Sequence, residues 1–152
     1  MKYDFSGWAT KNNLRCSDGR TILKDAFKEN DGGMVPLVWN HQHNDPNNVL
    51  GHALLENRDD GVYAYCAFND TESGQQAKSL VEHGDVVSLS IFANKLKQRG
   101  GDVIHGVIRE VSLVLAGANP WVNAAEDFAV GTVVTGKVAF YKGDVIWKQF
   151  KN

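Results

Sequence analysis

The sequence predicts a mostly β domain with flanking helices, an α+β arrangement built around one core. Three observations lead there. Short β-branched or aromatic runs alternate with turn signals, glycine is frequent (15) while proline is rare (3), and 152 residues are enough for one domain with a substantial interior.

The elements follow in chain order. Asp4 to Thr10 reads as the first strand. Thr21 to Asn30 predicts a short helix, because Leu23, Ala26 and Phe27 recur at helical spacing and Asp31-Gly32-Gly33 would end it. Met34 to Asn40 reads as a strand that delivers the chain to His41. Val49 to Glu56 and Gly61 to Phe68 predict a hairpin across the polar turn Asn57-Arg58-Asp59-Asp60. Thr71 is a good N-cap, and Ala77, Leu80 and Val81 form one stripe, so Thr71 to His83 should be a helix closed by Gly84. Val86 to Phe92, Lys95 to Gln98 and Val103 to Leu115 complete the sheet, with Gly100-Gly101-Asp102 turning between the last two. A further hairpin is expected at Val138 to Phe150, centred on Lys142-Gly143-Asp144.

Composition excludes several classes. Eighteen acidic against sixteen basic residues leave a net charge of -2 with no basic run, so a nucleic-acid groove, which needs a clustered basic face, is not expected. The longest apolar run, Val111 to Ala118, is broken by Ser112 and is too short to cross a bilayer. Only two cysteines occur, Cys16 and Cys66, in no metal-like spacing, and the opening residues lack a signal-peptide core. A reducing, intracellular setting is the expectation.

Four residues carry chemical interest. His41 ends an apolar strand and opens a polar loop, a place where a rigid scaffold can present a base, although a histidine there is often structural. His41 and His43 would share a face if the strand continued, but Asp45, His52 and His105 lack ligand-like spacing, so no metal or other cofactor is expected. Ser88 and Ser90 share one face of an apolar strand and could equally be its solvent side; neither lies in a G-x-S-x-G elbow. Glu110 stands at the edge of an apolar strand, where it could pair with Arg109 or, facing a histidine, orient the imidazole. Cys66 and the four tryptophans read as core or interface.

Three segments occur together in order: Val35-Pro36-Leu37-Val38-Trp39-Asn40-His41 with Val49-Leu50-Gly51, then Gly84 through Ser88-Leu89-Ser90-Ile91, then Ile108 through Val114 closing in Ala118-Asn119-Pro120. Together they resemble the prohead maturation proteases of tailed bacteriophages, from about Phe5 to Pro120. The resemblance implies His41 as general base, Ser90 as nucleophile in a Leu-Ser-Ile motif, and Glu110 as third member. It implies a closed or nearly closed β-barrel of the herpesvirus-protease type over residues 1–123, whereas the tail 124–152 lies beyond the resemblance and is expected, from the apolar alternation of Val138, Phe140, Val145 and Trp147, to pack or oligomerise. The Phe92 that follows Ile91 departs from the family, which often has glycine there. Backbone N–H groups of the loop holding Gly117 and Ala118 become oxyanion-hole candidates. The implied activity is that of a serine endopeptidase cutting capsid and scaffold precursors, and itself, inside the assembling prohead in the bacterial cytoplasm. Its implied partners are the major capsid or scaffold protein and copies of itself, with no nucleic acid and no membrane. The alternative is an inactive assembly or scaffold-binding domain on the same barrel.

Overall fold

The computed structural model describes residues 3–13, 20–42, 44–86 and 88–114, together with the strand backbone at 129–134 and 139–140. β1 (Phe5–Lys11), β2 (Thr21–Ile22), β3 (Met34–Trp39), β4 (Val49–Arg58) and β5 (Gly61–Phe68) precede α1 (Glu72–Glu82). β6 (Ser88–Arg99), β7 (Asp102–Val114), β8 (Ala129–Val134) and β9 (Ala139–Phe140) follow it.

All nine strands belong to one sheet, ordered β8-β6-β7-β3-β4-β5-β1-β9, with β2 on the free part of β7. The expected closed barrel is corrected here: the sheet curls into a half-barrel and stays open. Its curl brings β1 against β6 and β8. Opposite the β5 edge of β1, Phe5 and Ser6 pair with β9.

The concave side holds the core, where Phe5, Leu37, Leu55, Leu89, Ile91, Ile108, Val111 and Leu113 are buried together. Side chains alternate across each strand, so the partners of these residues in sequence, Val38, Ser88, Ser90 and Ser112, face the other way. β4 and β5 form the expected hairpin, tighter than predicted: pairing continues to Arg58 and Gly61, leaving only Asp59 and Asp60 in the loop. α1 matches its expected bounds within a residue. Thr71 Oγ1 accepts the Gly74 N–H at 3.1 Å, and Gly84 ends the helix at φ 80°. Ala77 and Val81 bury its apolar stripe against the β4–β5 hairpin.

Two further expectations need correction. Thr21 to Asn30 is not a helix, for its first residues form β2 and only Lys28–Asn30 makes a 3₁₀ turn. Asp25 sits at φ 63°, which a right-handed helix forbids. The segment instead satisfies the open edge of β7. Thr21 and Ile22 pair with Asp102 and Val103, Ala26 O accepts from Gly106 N, and the Asn30 amide clamps Ile108 by donating to its carbonyl and accepting its N–H. The break expected around Phe92 to Lys95 is not a strand end either. β6 runs through it by means of bulges, one of them at Lys95 with φ 52°. In the tail hairpin, Ala139 and Phe140 pair with Ser6 and Phe5 of β1, and residues 138 and 141–150 lie outside the described residues. One α-helix, not two, is present among the described residues.

Candidate active site

β3 lies parallel to β7 and antiparallel to β4, so its C-terminal end runs out beside Leu113. There the chain turns sharply. Gln42 N–H donates to Trp39 O at 3.0 Å, and the two central residues, Asn40 and His41, have φ of 49° and 57°. Asparagine and histidine are among the residues that tolerate this left-handed region, at a cost of about 1–3 kcal/mol each when held there. The cost is offset by anchors on β7: Asn40 N–H bonds to Leu113 O, and His41 N–H donates to Ser112 Oγ at 3.1 Å. The imidazole is thereby folded back over the strands that follow it in sequence.

β6 and β7 supply its partners. Their register sets Ser90 opposite Ser112 and Phe92 opposite Glu110. His41 Nε2 lies 2.8 Å from Ser90 Oγ, and His41 Nδ1 lies 2.5 Å from Glu110 Oε1. With Glu110 ionised, Nδ1–H donates to it and the Nε2 lone pair faces the Ser90 hydroxyl, which is the arrangement a general base needs. Ser112 Oγ donates to the same Glu110 oxygen at 3.0 Å while accepting from the His41 backbone. Glu110 is 2% exposed and Ser90 fully buried.

The structure thus brings together His41, Ser90 and Glu110, residues separated by up to 69 positions in sequence. It does not bring Ser88 to them. Ser88 shares the face of Ser90 and is fully buried, yet its hydroxyl has no hydrogen-bond partner among the described residues. Gly117 and Ala118 lie outside the described residues, as does His43. Of the other residues weighed as metal partners, Asp45 caps the Pro46–Asn48 turn, His52 lies half-buried on β4, and His105 sits 3.7 Å from Glu29. Among the described residues no cluster of three or more such ligands occurs. Cys66 is core, and burial pushes its thiol pKa well up, so it stays protonated.

One participant had not been singled out as a site residue, Ser112. Its signal is the spacing Glu110-x-Ser112, which on a strand puts both side chains on one face.

A family model for the caudovirus prohead serine protease matches residues 3–125. No curated protein and no solved structure matches the chain. The family match contains every residue of the His41, Ser90, Glu110 and Ser112 cluster.

Proposed function

The chain belongs to the caudovirus prohead serine protease family, and from that premise we propose that it cleaves capsid and scaffold precursors through Ser90, His41 and Glu110. The observation that carries this reading is the continuous chain of contacts from Ser90 Oγ through the His41 ring to Glu110 Oε1.

The chemistry runs as follows. Nε2 of His41 takes the Ser90 proton as Oγ bonds to the scissile carbonyl carbon, giving a tetrahedral oxyanion and an imidazolium. Glu110 stabilises that imidazolium and holds its orientation. Collapse breaks the C–N bond while Nε2–H protonates the leaving amine, and the acyl group remains on Ser90 as an ester. Water then gives a proton to Nε2 and attacks the ester carbonyl, and collapse breaks the C–Oγ bond, releasing the acid product while Nε2–H returns its proton to Ser90 Oγ. Backbone N–H groups near Gly117 and Ala118 are the proposed oxyanion donors.

A kinship of this open half-barrel with the herpesvirus-type proteases, action inside the prohead and self-cleavage are parts of the same proposal. So is the division at residues 123 and 124 into a protease domain and a tail. The test is incubation of purified chain with the capsid and scaffold precursors of its phage, read by intact mass. Wild type should yield discrete fragments and Ser90→Ala none, with Ser88→Ala retaining most of the cleavage. Intact precursors with a correctly folded wild type would favour the inactive assembly domain.

A further inference from the structure

Beside Glu110 the outer face of the sheet opens into a cavity of about 290 Å³ lined by Pro36, Val38, Val49, Phe92, Arg109 and Glu110. Four of these six are apolar, and Val49, 37% exposed, presents aliphatic surface beside the buried polar Glu110. Arg109 reaches the cavity because of a register slip. Phe92 pairs with Glu110 and Ala93 with Ile108, so Arg109 is the extra residue of a β-bulge, a device that re-aims a side chain. Glu110 is held by His41 and Ser112, whereas Arg109 is exposed and has no ion-pair partner among the described residues.

We propose that this cavity selects the substrate: it takes an apolar side chain two residues from the scissile bond, and Arg109 favours a carboxylate next to that side chain. The inference rests on the protease reading above. The spacing follows from strand geometry. Ser90 and Phe92 lie on one face of β6, two residues and roughly 7 Å apart. An extended peptide has the same rise, so a substrate presenting its carbonyl to Ser90 carries a side chain two residues away over Phe92. A guanidinium at the rim then reads the neighbouring residue, and a carboxylate is its geometric complement.

The experiment uses the full chain and a library of peptides that differ at these two positions, each acidic peptide matched by its amide counterpart, with products sequenced by mass spectrometry. Wild type should cut the acidic members with kcat/KM roughly fivefold above their amide partners, the size of an exposed ion pair. Arg109→Gln should erase that ratio, bringing the acidic peptides down to the rate of their amide partners. Val49→Trp, which fills the mouth from an exposed position, should shift preference from large to small apolar side chains. Ser90-dependent cutting that is indifferent to the acid, or an acid preference intact in Arg109→Gln, overturns the subsite alone. A folded wild type that cuts no peptide or precursor overturns the protease reading and the subsite with it.

Discussion

At the scale of single residues, the site depends on one hydroxyl that performs no bond-making of its own. Ser112 fixes the His41 backbone and one Glu110 oxygen at once, so it determines where the imidazole sits between acid and nucleophile. Ser112→Ala should therefore lower kcat by about tenfold with KM nearly unchanged, since substrate does not touch the hydroxyl. Steady-state kinetics on a cleaved peptide checks this, and an unchanged kcat would remove Ser112 from the positioning role. His41→Ala should lower kcat by about four to six orders of magnitude with the circular dichroism spectrum of the fold retained, while His43→Ala stays mild. An unfolded His41→Ala would assign that residue to packing. Glu110→Gln should slow acylation, because an amide cannot balance the imidazolium charge; single-turnover rates equal to wild type would move the third role elsewhere. The motifs around His41, Ser90 and Glu110 were visible in the sequence, Ser90 and Glu110 on strands and His41 just past the end of β3, but not the turn that folds the imidazole back onto them. Ser112 was harder to see, since a lone serine in an apolar strand reads as its solvent face until a partner strand is known.

At the scale of elements, strands and the capped helix were legible from local chemistry, and the exceptions share one cause. Leu23, Ala26 and Phe27 have helical spacing, but consecutive tight turns bury residues at the same intervals, and what decided the conformation was a long-range demand. β7 needs partners along its whole length, and the 20–30 segment supplies them between β2 and β3. Asn30 replaces a strand residue there by bonding both backbone groups of Ile108. Asn30→Leu should destabilise the protein by about 2–4 kcal/mol, since it strands a buried N–H and a buried carbonyl, and urea unfolding measures it. A loss under about 0.5 kcal/mol would show that water or a shifted strand replaces the amide. Gly51 makes a comparable demand, for a Cβ there would lie 1.9 Å from Ala67 O on the neighbouring strand. The apolar run around Gly51 signals a strand but gives no sign of this close approach, which depends on the β4–β5 register.

At the scale of the whole molecule, the open half-barrel leaves edges, and the chain beyond the family match supplies strands to both. β8 pairs with Ser88 to Ala93, directly alongside Ser90, and β9 pairs with β1. The sequence showed apolar alternation after residue 124 but not its destination, because strand pairing across the full length of a chain has no local signature. A chain ending at Ala125 should unfold at a temperature lower by several degrees and self-associate, since it bares the β6 edge. Light scattering and thermal melts decide this, and a monomer as stable as the full chain would show that β8 and β9 add nothing to the fold. The account as a whole turns on Ser90 being the nucleophile activated by His41. Its most direct measurement is labelling of the folded chain with diisopropyl fluorophosphate, followed by mass mapping of the adduct. The predicted result is one phosphoryl group on Ser90, absent in Ser90→Ala and formed far more slowly in His41→Ala. An adduct on any other residue, or labelling of Ser90 at the same rate without His41, would contradict it.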